Sequence, residues 1–294
     1  MTREPIITRE VAAIPRRRDD AHKGDVGRLA IIGGSFGEVT MPGAPALVAN
    51  AALRSGAGLV QVFSPEPIHA TLAALAPCAT FRRLHANPAK ILEALGEFAA
   101  DVVVIGPGLR DSLPPGVLGD LLTTFRGPMV VDADGLNLLA DATGLAIPEG
   151  RRVVLTPHPG EARRLLAARG AEPTIDSTAA SRRAAACALV EAYGCTAVLK
   201  GRGTVVTDGQ RLYVNETGNS GLATAGSGDV LAGVIAALIG QKMDPLEAGI
   251  LGVYLHGLAG DYAAEELGRW SMTALDVIDY LPEAFCEHAV AESE

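Results

Sequence analysis

The segment Thr217 to Gly240, TGNSGLATAGSGDVLAGVIAALIG, joins a run of small residues to an apolar, helix-like stretch. A loop of Gly226, Ser227 and Gly228 opening a helix lets backbone N–H groups converge on an anion, and the helix dipole adds to the attraction. Asp229 follows in the first turn, where a carboxylate could take the proton from a hydroxyl beside a transferring phosphoryl group. An acid in that turn equally suits plain helix capping, and this segment alone leaves the two readings even. Three glycines and Asn219 upstream weigh towards a site.

Four other segments carry polar residues at the ends of strand-like runs. In TPHPGEARRLL, Thr156 to Leu166, two prolines hold His158 on a loop and put Glu161 at a helix start. Glu161 could organise Mg²⁺, which is usually held by one or two carboxylates. VVDADGLNLL, Val130 to Leu139, offers Asp132, Asp134 and Asn137 to a metal or a ribose, although Asp134-Gly135 also reads as a simple turn and Asp132 as a cap. KGRGT places Lys200 before Gly201, Arg202, Gly203 and Thr204, giving a point charge and exposed amides for phosphates. VIGPGL ends on Gly108 and Leu109. No Walker A pattern and no G-x-G-x-x-G occurs, which removes support from P-loop and standard Rossmann readings.

Gly37 to Phe63 reads mainly as an Ala-rich helix packed close to a sheet, with Met41, Gly43 and Ala44 at its start able to face a ligand. His256, in YLHGLAGD, reads as a packing or hydrogen-bonding residue.

Positioning these groups requires repeated βα units. Short β-branched runs at Leu29 to Ile32, Leu59 to Phe63, Val102 to Ile105, Met129 to Val131, Val153 to Leu155 and Ala197 to Lys200 supply the strands. Ligands of such open sheets lie at the strands' carboxyl ends. Asp208-Gly209 predicts a hairpin and an antiparallel edge. Helical stretches follow at Val230 to Gly240, Leu246 to Leu267 and Thr273 to about His288.

The 294 residues are 48% hydrophobic and 4% aromatic, a mix suited to helices on a parallel sheet. A formal charge of −9 argues against nucleic acid. The four cysteines show no C-x-x-C pair and no metal or disulfide spacing. Absence of a signal-like segment or a long apolar run leads to the expectation of a cytoplasmic protein without a membrane span. The expected organisation is an arm over residues 1–20, a single domain over 21–288 and a tail over 289–294.

Taken together, these residues resemble the NAD(P)H-hydrate dehydratases of the ribokinase-like superfamily. The likeness runs from HKGDVGRLAIIGGS at His22 through MPGAPALVANAALRSGAGLV, VIGPGL, VDADGLNLL, TPHPGE, LKGRGT and TGNSGLATAGSGDVLAG to GVYLHGLAGDYAAEELG, near Gly268. The resemblance implies a three-layer α/β/α fold with a central, mostly parallel sheet. It also implies ADP-dependent dehydration, with ATP as the alternative donor and Mg²⁺ as cofactor, of the S epimer of NADH or NADPH hydrate. Phosphorylation of the hydroxyl and loss of phosphate would return NAD(P)H, AMP and phosphate.

Carried onto this sequence, Asp229 is the base; Ala44, Gly108, His158 and Asp229 contact the hydrate. Lys200, Gly201, Arg202, Gly203, Thr204 and Gly228 bind the nucleotide. Gly226, Ser227 and Gly228 form the anion hole, and Glu161 with Asn137 organises the metal indirectly. Ala225 and Ser227 stand where many members have Gly and Thr; both remain small. Because the motif set starts at His22, a separate epimerase is expected to act on the R epimer, and homo-oligomers up to a tetramer are expected. Two other readings stay open at this point: an ATP-dependent kinase of a vitamin precursor or sugar, and a nucleotide-binding sensor without turnover.

Overall fold

The computed structural model describes residues 5–114, 116–142, 145–171 and 174–291. Residues 1–4 of the expected arm and 292–294 of the expected tail lie outside them. Ten strands among the described residues form one sheet: β1 (Ile6–Thr8), β2 (Arg28–Ile32), β3 (Leu59–Ser64), β4 (Thr80–Arg83), β5 (Val102–Ile105), β6 (Met129–Val131), β7 (Val153–Leu155), β8 (Thr196–Leu199), β9 (Val205–Thr207) and β10 (Arg211–Val214). Their order is β1-β10-β9-β8-β7-β6-β5-β2-β3-β4. From β4 to β8 every pairing is parallel; β9 runs antiparallel to both β8 and β10, and β1 closes that edge parallel to β10. The Asp208-Gly209 turn joins β9 to β10, where Asp208 Oδ1 accepts from the N–H groups of Gln210 and Arg211 at 2.8 Å each.

Successive side chains of a strand point to opposite faces, so each buried strand feeds two cores. Leu29, Ile31, Val102, Val104, Val130, Val154 and Val198 face one side. There they meet α1 (Gly43–Arg54), α8 (Ser227–Gly240), α9 (Pro245–Leu267) and α10 (Ala274–Ala291), with the short α2 (His69–Leu75) beside them. Ala30, Ile32, Val103, Ile105, Met129, Val131 and Leu155 face the other side. That face is covered by α3 (Pro88–Phe98), α4 (Val117–Thr124), α5 (Asp134–Asp141), α6 (Pro159–Ala167) and α7 (Ala179–Tyr193). Small residues let α1 and α8 approach closely: a Cβ on Gly233 would sit 2.5 Å from Val48 O.

Two strands differ from the sequence reading. Within the expected arm, Ile6–Thr8 pairs with Arg211–Tyr213, its Ile6 N–H donating to Gln210 O at 2.8 Å. Thr80–Arg83 forms the opposite edge, pairing only with β3. Both are short and lie at edges; Ile6–Thr8 is a three-residue run within a mixed-charge arm, and Thr80–Arg83 has a single large apolar residue.

One close approach fixes the position of the β6 loop. Gly106, directly after β5, has φ +125°, and a Cβ there would meet Asp132 O at 1.8 Å and Gly135 N at 2.4 Å. Gly106→Ala is therefore expected to destabilise the protein by about 2–4 kcal/mol in urea unfolding. An unchanged unfolding midpoint would mean that the β5 and β6 loops do not need this contact.

Candidate active site

Three adjacent strand ends build the floor of the site. Asp132, directly after β6, is only 1% exposed. Its Oδ1 accepts from Lys200 Nζ at 2.7 Å and from Thr156 Oγ1 at 2.8 Å, which brings together the ends of β6, β7 and β8. Lys200 is fixed in turn from both sides: its N–H donates to Pro157 O at 2.8 Å, and its carbonyl accepts from Arg182 Nη2 at 3.0 Å. Arg182 projects from α7 and also donates to Leu199 O at 3.1 Å. A buried ion pair survives only when its remaining bonding capacity is met, and Thr156 contributes to that here.

Asp132 is aimed by an uncommon backbone. Ala133 has φ 48° and ψ −121°, so the chain reverses between Asp132 and Asp134. Asp134 then accepts from Arg110 N at 2.8 Å and from Asn137 Nδ2 at 3.2 Å. Such strain persists where surrounding contacts over-determine it.

The roof is the start of α8. Gly226 serves as N-cap with φ +90°, and a Cβ there would meet Leu47 Cδ1 at 2.4 Å and Ala274 Cβ at 3.1 Å, so α1 and α10 wall the loop. Gly228 faces the ion pair: a Cβ on it would lie 3.1 Å from Lys200 Nζ and 3.9 Å from Asp132 Oδ2. The preceding loop is tied to α9, where Asp261 accepts from Gly218 N at 2.8 Å and Asn219 Nδ2 at 2.9 Å.

Asp229 sits at the third helical position, but no hydrogen bond among the described residues uses its carboxylate; α8 has no side-chain cap. Burial, then the charge of Asp132, push it up to about 7, with Lys200 opposing and Asp134 adding. Lys200 is held above its ordinary range: burial is the largest influence and lowers it, but Asp132, Glu161 and Asp229 together prevail. One cation is thus shared among three carboxylates, with a site-facing acid poised to titrate near neutrality.

His158 and Glu161 form a capping box at the start of α6. The imidazole Nδ1 accepts from Gly160 N at 2.9 Å, and Glu161 Oε2 accepts from His158 N at 2.7 Å. Burial raises the Glu161 carboxyl above its usual range, against the pull of Lys200. Asn137 is turned to other partners, its Oδ1 accepting from Arg164 and its Nδ2 donating to Asp134; no hydrogen bond joins it to Glu161. Among the described residues, no group of three or more His, Cys, Asp or Glu side chains forms a metal cage.

Ala44, in the first turn of α1, and Gly108, in the loop after β5, are brought together: a Cβ on Gly108 would lie 3.1 Å from that of Ala44 and from that of Met41. Through α1 this pair is continuous with Leu47 and the Gly226 loop. Beside it, Arg110, Asp111, Ser112, Asp134, Asn137 and Asp141 help to line a cleft of about 650 Å³. Gly201, Arg202, Gly203 and Thr204 form the turn between β8 and β9, closed by Thr204 Oγ1 donating to Gly201 O at 2.9 Å. Thr156, Arg182 and Asp261 were not singled out from sequence. Thr156 lay inside a quoted motif and Asp261 beside His256, whereas Arg182 is one of two adjacent arginines in an Ala-rich helix and has no distinguishing signal.

A mostly parallel sheet between two helical layers, with a glycine loop opening a helix over the strand ends, defines a ribokinase-like fold. Its relatives narrow the class. The ADP/ATP-dependent NAD(P)H-hydrate dehydratase from Bacillus subtilis, co-crystallised with ATP/Mg²⁺, superposes with a TM-score of 0.77 at 29% identity, covering 94% of this chain and 95% of that one. The family model for NAD(P)H-hydrate dehydratase matches residues 29–283, and the chain belongs to that family.

Among curated relatives, the bifunctional NAD(P)H-hydrate repair enzyme of Moorella thermoacetica is 43% identical over 281 residues, 92% of this chain and 51% of the relative. The ADP-dependent (S)-NAD(P)H-hydrate dehydratase of Neisseria meningitidis serogroup B is 40% identical, covering 86% and 82%. The chain spans about half the length of the bifunctional relatives it matches. No helix among the described residues is long and apolar enough to cross a membrane.

If Asp229 is a base that must be ionised, turnover falls as pH drops through about 7. Asp132→Asn removes a charge that raises Asp229, and the acid limb of kcat/KM should move to lower pH; Lys200→Met should move it higher. A limb left in place by both variants would separate it from Asp229.

A second expectation concerns stability. With the folded carboxyl near 7 and an ordinary value of 3.8, folding favours the protonated form, so stability is lost as pH rises between those values, by roughly 4 kcal/mol above them. Asp229→Asn should melt higher than wild type at pH 8, the gap narrowing towards pH 5. A lower melting temperature at pH 8 would mark the carboxylate as a structural helix-start residue.

Proposed function

We propose that this protein is a nucleotide-dependent (S)-NAD(P)H-hydrate dehydratase using ADP, with ATP as an alternative donor. The observation that carries the reading is the half-buried carboxylate of Asp229, raised to about 7 and without a hydrogen-bond partner among the described residues, in the first turn of a helix whose glycine loop faces Lys200. Family membership names the substrate class, and the Neisseria relative's name specifies ADP and the S epimer.

The hydrate would lie along Ala44, Gly108 and His158, with its remaining nucleotide able to extend towards the Arg110 cleft. The donor nucleotide would lie across Lys200, Gly201, Arg202, Gly203, Thr204 and Gly228. Asp229 takes the proton of the hydrate's hydroxyl as its oxygen attacks the terminal phosphorus, and the bond from that phosphorus to the leaving nucleotide oxygen breaks. N–H groups of the Gly226 to Gly228 turn and Lys200 hold the developing negative charge. The phosphorylated carbon then loses its C–O bond, phosphate departs, and loss of a ring proton restores the double bond. Products are NAD(P)H, phosphate and AMP, or ADP where ATP is the donor.

The donor set fits Mg²⁺. It consists of hard carboxylate oxygens without a closed cage, as an ion that keeps waters and phosphate ligands requires. Glu161 is the residue that would organise it, directly or through water, and the ion would neutralise charge on the phosphates. Asn137, engaged with Arg164 and Asp134, would act there only through the packing of α5 against α6. We further propose residues 21–288 as one catalytic domain, whose sheet the β1 strand of the arm joins at its edge, a cytoplasmic setting, self-assembly, and a functional link to a separate epimerase.

Purified protein given NADH hydrate, ADP and Mg²⁺ should regain dihydropyridine absorbance with one phosphate released per turnover. Asp229→Asn should lower kcat by roughly 10²–10⁴-fold while retaining nucleotide binding. A stable phosphorylated product would instead establish a kinase, and nucleotide binding without turnover of any hydrate would establish a sensor.

A further inference from the structure

His256 lies in the middle of α9, is 7% exposed, and takes no part in the chemistry described above. Its Nε2 is 3.0 Å from Ser227 O and 3.3 Å from Ser227 Oγ. The segment carrying it is tightly held: Thr217 Oγ1 donates to Tyr254 O at 2.9 Å, and a Cβ on Gly257 would meet that same hydroxyl oxygen at 2.2 Å. Burial, the largest influence, draws the imidazole down to about 4, with the nearby Lys200 lowering it further and the bond to Ser227 opposing. The ring is therefore neutral at physiological pH and carries one N–H.

Which nitrogen holds that proton follows from the partner. A carbonyl oxygen can only accept, so the 3.0 Å contact with Ser227 O requires Nε2–H. Nε2 then has no lone pair to offer the Ser227 hydroxyl. The hydroxyl can receive the weaker branch of the same N–H, but it cannot give its own proton to His256. No other protein group among the described residues accepts from Ser227 Oγ.

We propose that His256 is a positioning residue: its Nε2–H holds the first turn of α8 and leaves the Ser227 hydroxyl as a donor to the transferring phosphoryl group. This rests on the phosphoryl-transfer reading above, and it adds a side-chain donor to the backbone amides of the anion hole. An imidazole placed to accept from the serine would have consumed that donor. Small size alone would be met by Gly or Ala at position 227; a hydroxyl-bearing residue is what this arrangement uses.

The test compares His256→Leu, which removes the donor, with His256→Gln, whose amide nitrogen can reach the Nε2 position, and His256→Asn, whose shorter amide cannot. Relative to wild type, Leu and Asn should lower kcat about 10- to 100-fold with KM for nucleotide changed less than about threefold, and Gln should restore most of it. Ser227→Ala should cost a similar factor, and adding His256→Leu to it should cost little more, because both remove the same donor.

Binding of AMP with tetrafluoroaluminate and Mg²⁺, a mimic of the transferring phosphoryl group, should weaken in the same order. Equal kcat and equal mimic affinity for wild type and His256→Leu would overturn the proposal, as would losses that multiply in the double variant. If His256→Leu does not fold, Asn against Gln decides, since both put an amide in the same cavity. Wild-type protein that binds the mimic but leaves the hydrate unchanged would sink the dehydratase reading alone, while the ratios of mimic affinity would still decide the role of His256.

Discussion

The buried ion pair between Asp132 and Lys200 is the interaction on which the rest of the site depends. At 2.7 Å, with Asp132 only 1% exposed, it crosses the end of β7 to tie β6 to β8. Removing either partner would leave an uncompensated charge, a loss typically worth several kcal/mol. Its second effect is chemical. Lys200 faces the Gly228 turn and is shared with Glu161 and Asp229, so one cation must hold three acids. Asp229, with no hydrogen bond to its carboxylate among the described residues, is pushed up to about 7.

That arrangement places a cost on the fold. A carboxylate forced towards protonation by burial destabilises the ionised protein, as does the left-handed backbone at Ala133 that aims Asp132. Compensation comes from neighbours with no direct chemical part. Arg182 clamps the Lys200 loop, Asp261 ties down the loop before α8, and Gly106 lets the β6 loop press against β5. Stability and chemistry are thereby divided between different residues at the same strand ends.

Much of this was legible in the sequence, and for physical reasons. The six apolar runs became buried parallel strands because each is short, β-branched and followed by a turn residue, and Asp208-Gly209 became the hairpin. The site loops were legible for the same reason: Lys200, His158 and the Gly226 turn all follow strands or open helices. Edge strands β1 and β4 were not: Ile6–Thr8 is a three-residue run inside a mixed-charge, proline-containing arm, and Thr80–Arg83 carries two arginines in place of an apolar pattern. The long-range partners were not legible either. Nothing near Arg182 marks it as a clamp, and the importance of Asp132 over Asp134 arises only when β8 delivers Lys200 to it. His158 and Glu161 carry a double role that spacing hinted at, since the same spacing makes a capping box.

In the reaction proposed for this protein, the decisive step is the conversion of the hydrate's hydroxyl into a leaving phosphate. Turnover of NADH hydrate carrying ¹⁸O in that hydroxyl, with unlabelled ADP and water, follows the oxygen directly. The released phosphate is expected to carry one ¹⁸O for each NADH formed. Label appearing in water, with unlabelled phosphate, would contradict it and show that the hydroxyl leaves without ever being phosphorylated.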